Sequence, residues 1–206
     1  MSLLFVFDMD DVLYDYDWRT RMRGLTELTG LDLPELRRRW WHDEGEWAAE
    51  AGRYPDGATY LSAWIDAVGT PLSPEVWLAN RRSAMTVRPD ALAAVSRAAD
   101  LGRVTLLTNN GPLVGENLSV VAPDLVPIFG AEHLFASSHY GARKPDPRVF
   151  EAVLAAYDEP AEHVFFADDL EVNVEGARSV GISAHLYRDA PALLAAIEQF
   201  AARAPL

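Results

Sequence analysis

The chain has 206 residues and a formal net charge of -13, half of its residues are hydrophobic, and it contains no cysteine. The lack of cysteine excludes disulfides, thiolate metal sites and a cysteine nucleophile, and the acidic charge argues against nucleic-acid and anionic-membrane partners. No apolar run approaches the length of a membrane span, so we expect a cytoplasmic protein; a small phosphorylated metabolite stays possible as partner, because a bound cation and one lysine can reverse the local field.

The apolar start of the chain predicts a buried strand. Residues 3–7 are all apolar and are followed at once by Asp8 and Asp10. The segment has no basic region before it and no small-residue cleavage site after it, so it does not resemble a signal peptide. A continuous apolar run of this length is typical of a strand buried on both faces, as in a parallel sheet.

The next stretch, from about residue 14 to residue 85, is predicted to be helical throughout and shows no strand pattern. Ser73 followed by Pro74 is typical of a helix start. Trp47, Trp64 and Trp77 are predicted to form the core of this helical region. We therefore predict a small α-helical cap at residues 15–85, inserted into a core made of residues 1–14 and 86–206.

Beyond the predicted cap, strands alternate with helices. This alternation predicts an α/β fold, a Rossmann-like doubly wound parallel sheet with helices on both faces. The predicted strands are residues 104–107 and 164–167, with weaker signals at 133–137 and 183–187. The predicted helices are residues 90–101, 147–157, 171–180 and 190–202.

Polar residues follow the three strong strand predictions, and open α/β sheets bind ligands outside the carboxyl ends of their strands. One lysine, one hydroxyl and several carboxylates at a common edge indicate Mg²⁺-assisted phosphoryl chemistry, because carboxylate oxygens with open water positions suit Mg²⁺. The candidate site residues are Asp8, Asp10, Thr108, Asn109, Lys144, Asp168 and Asp169.

The order of these residues resembles the haloacid dehalogenase-like hydrolase superfamily, in the subgroup that has a small helical cap after the first strand. The resemblance extends from residue 3 to about residue 187. It implies Mg²⁺-dependent hydrolysis of a small-molecule phosphomonoester through an aspartyl-phosphate intermediate. The residues that carry it are Asp8-x-Asp10, Thr108, Lys144 and Asp168-Asp169-x-x-x-Asn173.

The resemblance also implies roles for these residues. Asp8 would be the nucleophile, and Asp10 would protonate the leaving alcohol and then deprotonate the attacking water. Thr108, the backbone at Asn109 and Lys144 would hold the phosphoryl oxygens. The implied Mg²⁺ ligands are Asp8, Asp10, Asp169 and, directly or through water, Asp168.

One residue departs from the family pattern. Glycine usually follows the second aspartate of the first motif, whereas this chain has Asp11. Aspartate tolerates turn conformations better than most residues, but it adds a negative charge beside the predicted site. The effect on metal binding or on the following turn stays open.

Several alternatives stay open at this point. The chain could be a hexose-phosphate type of phosphomutase, or a non-catalytic binding protein on the same fold. A dehalogenase is disfavoured by Asp10, because departure of a halide needs no proton. Locally, Asp8 to Asp11 also suits an acidic turn, and Asp168 with Glu171 suits a capping box. The sequence indicates no oligomeric state.

Overall fold

The protein, seen in a computed structural model that describes residues 2–203, is built on a five-stranded parallel sheet. Its strands in chain order are β1 (Leu4–Phe7), β2 (Tyr14–Tyr16), β3 (Met85–Val87), β4 (Arg103–Thr108), β5 (Leu134–Ala136), β6 (Val164–Asp168) and β7 (Ser183–Leu186). The main sheet has the order β5-β4-β1-β6-β7, while β2 and β3 form a separate pair. The predicted α/β class with a parallel Rossmann-like sheet is confirmed.

Helices surround the sheet and fill most of the segment between β2 and β3. In chain order they are α1 (Trp18–Thr29), α2 (Leu33–Arg39), α3 (Glu46–Glu50), α4 (Gly57–Val68), α5 (Pro74–Ser83), α6 (Pro89–Leu101), α7 (Pro112–Gly115), α8 (Leu118–Val121), α9 (Val126–Phe129), α10 (Pro147–Tyr157), α11 (Glu171–Ser179) and α12 (Ala190–Arg203). Over residues 2–203, none of these helices has the length and apolar character that crossing a bilayer requires.

The central strand β1 is buried along its whole length, as its continuous apolar run predicts. Side chains alternate between the two faces of a strand. Leu4 and Val6 therefore pack in one apolar cluster with α10 and α11, whereas Phe5 and Phe7 pack in the other with α6 and α12. Helices on both faces explain why no polar residue interrupts β1.

The register of the sheet brings the ends of three strands together. Phe7, the last residue of β1, pairs with Leu106 of β4 on one side and with Ala167 of β6 on the other. Because all three strands run in the same direction, the residues that follow them meet at one edge. This edge is where the predicted catalytic residues lie.

The inserted helices α1 to α5 enter and leave through a two-stranded ribbon formed by β2 and β3. The strands are antiparallel, and Tyr16 pairs with Met85. The prediction that this stretch holds no strand was wrong at its two ends, because three-residue strands leave too short a pattern to detect. Trp64 and Trp77 are buried in the insert as predicted, but Trp47 is 45% exposed. The boundaries at residues 15 and 85 stay a prediction.

One helix start suggested by the sequence takes the expected form, and another does not. Ser73 accepts a hydrogen bond from the backbone of Val76 at 3.3 Å, which caps α5 with Pro74 in its first turn. The capping box expected before α11 is absent, since the N-cap residue Leu170 makes no side-chain cap bond. The Asp168 carboxylate instead accepts a hydrogen bond from the Leu170 backbone at 2.9 Å.

Candidate active site

The carboxyl edge of the sheet holds a buried ion cluster centred on Lys144. Its Nζ lies 2.8 Å from Asp8 Oδ1, after β1, and 2.7 Å from Asp168 Oδ2, at the end of β6. Burial lowers the pKa of Lys144, but the attraction of Asp168 and Asp8 outweighs it, so the pKa is raised on balance. The lysine is therefore a fixed positive charge between two carboxylates.

Asp168 is the fully engaged member of the cluster. Besides Lys144, it accepts hydrogen bonds from Asn173 Nδ2 at 2.9 and 3.0 Å and from the backbone of Leu170. Three donors that make four contacts to two oxygens leave little room for a metal ion. The geometry suits an aspartate that orients Lys144, and direct metal ligation by Asp168 stays a prediction.

Asp8 has the opposite character. Its Oδ1 is buried and faces Lys144, yet it accepts no well-directed hydrogen bond from any described residue. Burial raises the pKa of Asp8 well above its usual range, Lys144 partly offsets this, and the neighbouring charges of Asp168 and Asp10 raise the pKa further. A second cation would relieve this excess of negative charge.

The donors around Asp8 suit Mg²⁺ as that second cation. Asp8, Asp168 and Asp169 each offer a carboxylate oxygen, and these three oxygens lie within 4.8 Å of one another. Hard oxygen donors with room left for water are the ligands that Mg²⁺ prefers. Asp8, whose Oδ1 has only the Lys144 ammonium beside it, and the half-buried Asp169 carboxylate are less engaged than Asp168, so they are the better candidates for direct ligation.

We expect Mg²⁺ binding to weaken steeply below pH 6. Burial, with the charges of Asp168 and Asp11, raises the pKa of Asp169 to about 6. Below that pH the ion must displace a proton, so the dissociation constant should rise at least about tenfold per pH unit. Calorimetric titration with Mg²⁺ between pH 5 and 8 measures this. The exposed Asp66→Asn variant is the control and should behave as wild type; a constant affinity from pH 7 to pH 5 would contradict the expectation.

The end of β4 provides the hydroxyl of Thr108 and an asparagine side chain that binds the Lys144 backbone. Thr108 is buried, and its Oγ1 accepts a hydrogen bond from Asn110 Nδ2 at 2.8 Å, which leaves the hydroxyl hydrogen free to donate. The Asn109 side chain binds both backbone groups of Lys144, each at 2.9 Å. The side chain of Asn109 thus positions the lysine, and a phosphate contact by the Asn109 backbone stays a prediction.

The Asp10 carboxylate is close enough to Asp8 to raise its pKa, but it does not pair with Lys144 and has a partner that the sequence did not reveal. Both of its carboxylate oxygens lie 2.6 Å from Nη2 of Arg81, a completely buried arginine near the end of α5. Arg81 precedes Arg82 in the last turn of a helix, where basic residues are usually solvated. No local signal in the sequence distinguishes it from a surface residue.

Asp11 occupies a left-handed turn, which accounts for glycine at this position in the family pattern. Its φ is 59°, a conformation that aspartate tolerates. Its Oδ1 accepts a hydrogen bond from the backbone of Tyr16 at 3.2 Å, and its carbonyl accepts one from Arg88. The side chain therefore ties the turn to β2.

The insert also contacts the loop that carries Lys144. Glu50 of α3 forms an ion pair of 2.6 Å with Arg143, and its carbonyl accepts a hydrogen bond from Ser137 at 2.7 Å. Burial raises the pKa of Glu50 to about 7, although Arg143 partly offsets the effect. The insert is thus fastened to the core directly beside the catalytic edge.

Comparisons with known proteins find a matching family and a curated relative. A family model described as haloacid dehalogenase-like hydrolase matches residues 3–181. The chain is 33% identical over 195 residues to the protein named Phosphatase MT3486 of Mycobacterium tuberculosis (strain CDC 1551 / Oshkosh), covering 88% of this chain and 85% of that protein.

Solved structures share the fold at low sequence identity. A HAD family enzyme of Bacteroides thetaiotaomicron, bt-2542, in complex with magnesium and inorganic phosphate, superposes with a TM-score of 0.70 at 19% identity, over 91% of this chain and 95% of that one. A 2-haloacid dehalogenase of Pseudomonas syringae pv. Tomato DC3000 gives a TM-score of 0.65 at 20% identity, over 89% and 85%. These likenesses concern the fold alone.

Proposed function

The chain belongs to the haloacid dehalogenase-like hydrolase family, and from this premise we propose that it is a Mg²⁺-dependent phosphatase acting on a small phosphomonoester. The observation that carries the proposal is Lys144, buried between Asp8 and Asp168. A carboxylate that is held beside a fixed cation and accepts no well-directed hydrogen bond suits a nucleophile that attacks an anionic phosphoryl group. Asp10, two residues further on, supplies the acid that an alcohol leaving group needs.

Asp8 performs the bond-forming step in this proposal. Its oxygen attacks phosphorus in line, the bond between phosphorus and the ester oxygen breaks, and Asp10 gives a proton to the departing oxygen. Asp10 then takes a proton from water as the water attacks phosphorus. The bond between Asp8 and phosphorus breaks, inorganic phosphate leaves, and both carboxyl groups return to their starting states.

The other residues hold the transferring group. The Thr108 hydroxyl and the backbone at Asn109 donate to phosphoryl oxygens, and Lys144 balances the charge that develops on them. The Asp8 and Asp169 carboxylates and the Asp10 carbonyl would hold Mg²⁺. Asp168 would contribute directly or through a water molecule. When bound, Mg²⁺ screens the repulsion between an anionic nucleophile and an anionic substrate.

The rival activities make different use of Asp10. A dehalogenase releases a halide, which needs no proton, so the carboxylate at Asp10 would have no task. A phosphomutase would use both aspartates but return the phosphoryl group to a sugar. The magnesium and phosphate complex of the Bacteroides neighbour belongs to that protein, and it makes phosphate esters the first compounds to try here.

The test is a screen of sugar phosphates, nucleotides and short phospho-acids, with Mg²⁺ and with EDTA. We expect phosphate release from at least one ester, reduced by on the order of 100-fold or more when Mg²⁺ is removed and restored when it is returned. Product analysis separates the mutase, which would yield an isomeric sugar phosphate with little free phosphate. Release that is unaffected by EDTA, or no release from any ester, would rule the proposal out.

A further inference from the structure

Two arginines of the insert are buried, which is uncommon for this residue type. Arg21 of α1 is 5% exposed and Arg81 of α5 is 0% exposed. A guanidinium offers five N–H donors and carries a permanent charge, so its burial is costly unless the donors and the charge find partners. In the described residues, hydrogen-bond partners are present for only some of the N–H donors of each guanidinium.

Arg81 has free donors directly beside the candidate acid. Its Nη2 binds both oxygens of Asp10, but its Nε and Nη1 are buried and have no hydrogen-bond partner among the described residues. The three nitrogens of a guanidinium are attached to one carbon. The free N–H groups therefore lie next to the carboxyl group that would protonate a leaving oxygen.

Arg21 is the less satisfied of the two. Its one hydrogen bond runs from Nη1 to the Tyr16 hydroxyl at 3.1 Å, whereas Nε and Nη2 have no partner in the described part of the chain. No carboxylate among residues 2–203 forms an ion pair with it. Its guanidinium lies 4.6 Å from the centre of the Trp77 ring and 6.0 Å from that of the Trp41 ring, contacts that stabilise the charge but leave the Nε and Nη2 donors without acceptors among the described residues.

The two arginines lie close together, because both contact Tyr16. The Arg81 guanidinium lies 4.0 Å from the centre of the Tyr16 ring, and Arg21 contacts the hydroxyl of the same side chain. The buried Glu46 is near enough for its charge to raise the pKa of Arg21, but it forms no ion pair with Arg21, and its Oε2 accepts the hydrogen bonds of the Trp40 indole and the Tyr60 hydroxyl. Two buried cations with spare donors at one tyrosine form a place where an anion would be stabilised.

We propose that Arg21 and Arg81 form an anion subsite that binds an oxyanion, a carboxylate or a second phosphate, carried by the leaving group of the substrate. We place the subsite beside the leaving group because Arg81 contacts Asp10, the residue that would protonate the departing oxygen. Flat guanidinium donors match two oxygens of either anion. Asp10 is partly exposed, with 23% of its side chain accessible, so the carboxylate that Arg81 binds can be reached from solvent. This inference rests on the proposed phosphatase function.

The first test compares matched esters on the wild-type enzyme with Mg²⁺. Phosphoglycolate carries a carboxylate, ethane-1,2-diol bisphosphate carries a second phosphate, and ethyl phosphate carries neither. We expect kcat/KM for at least one anionic ester to exceed that for ethyl phosphate by on the order of 100-fold, as hydrogen bonds to charged groups allow. The anionic ester with the higher kcat/KM identifies the anion that the subsite binds. If kcat/KM for both anionic esters is close to that for ethyl phosphate, the proposal is overturned.

Arg21 is the residue to replace, because altering Arg81 would also disturb Asp10. In R21M the preference for the anionic ester should fall by on the order of 10- to 100-fold. In R21K the fall should be smaller, because lysine keeps the charge but lacks the planar pair of guanidinium donors. R21K also serves if R21M does not fold. R23M, an exposed arginine on the same helix, should keep the wild-type preference. An unchanged preference in a folded R21M and in R21K would refute the subsite.

A binding measurement separates this inference from the proposed catalysis. In a D8N background, calorimetry should show tighter binding of the preferred anionic ester than of ethyl phosphate, and adding R21M should remove that difference. If no ester is turned over but this binding pattern holds, the phosphatase proposal fails and the subsite stands. If esters are hydrolysed but the pattern is absent, the subsite fails and the phosphatase proposal stands.

Discussion

Asp8→Asn is expected to lose phosphate release by on the order of 10⁴-fold or more, as removal of a catalytic nucleophile does in other hydrolases. The amide cannot form the acyl phosphate. The protein should remain folded, because the substitution is nearly isosteric and Asp168 still pairs with Lys144, although the loss of one partner of this lysine should lower the unfolding free energy. Phosphate release under saturating Mg²⁺ and urea unfolding measure the two effects.

A chemical trap makes the same prediction independent of steady-state rates. Wild type quenched in acid during turnover of a labelled ester should carry label on the protein that base removes, and Asp8→Asn should carry none. Asp66→Asn, the same substitution at an exposed position of α4, is the control and should be labelled as wild type. Undiminished phosphate release by Asp8→Asn would show that the nucleophile lies elsewhere.

The second large effect is expected for Lys144→Met, which keeps much of the side-chain volume but removes the charge. Asp8 and Asp168 would then be buried without a counter-charge, and breaking a buried pair in this way costs about 3–5 kcal/mol of unfolding free energy. Activity should also fall by on the order of 100- to 1000-fold, because the transferring phosphoryl group loses a fixed cation.

The pH dependence of Lys144→Met identifies the cause of the lost stability. Burial raises the pKa of Asp8, and loss of the Lys144 charge should raise this pKa further, so the Asp8 carboxyl takes up a proton at low pH and the difference in unfolding free energy from wild type should grow as pH rises from 5 to 8. The measurements need EDTA, since a bound ion would replace the missing charge. A loss that is the same at pH 5 and pH 8 would indicate a packing defect instead.

Adding Asp168→Asn to Lys144→Met separates stability from catalysis. Removing one of the two stranded carboxylates should restore part of the unfolding free energy, while activity stays low because the cation is still missing. Asp168→Asn alone should be destabilising, since it leaves Lys144 with one partner in place of two. A double variant no more stable than Lys144→Met would contradict the pairing described here.

Much of the catalytic edge could be predicted because it depends on local patterns. The apolar run of β1 ends at Asp8, and the run of β6 ends at Asp168, so a parallel sheet must bring these two residues to the same side. The weaker strand predictions also hold, with residues 133–137 and 183–187 containing β5 and β7. A strand buried on both faces leaves a clear signal in a single sequence.

The remainder depends on contacts between distant parts of the chain. Arg81 is buried because α5 packs against the rest of the insert, and its pairing with Asp10 joins residues 71 positions apart. Asn109 resembles a turn residue, and only the fold shows its side chain bound to the Lys144 backbone. Basic and amide residues occur so widely on surfaces that burial cannot be inferred from their neighbours in sequence.

The ribbon of β2 and β3 gives the insert the properties of an exchangeable module. Asp15 pairs with Thr86, so the chain leaves and re-enters the core at adjacent points. Once the two ends are joined in this way, the entropy of closing the loop changes by only about 0.6 kcal/mol for each doubling of its length. Helices can therefore be gained, lost or replaced beyond the ribbon without refolding the sheet. The ribbon is a junction at which new substrate contacts can evolve while Asp8 and Lys144 keep their geometry.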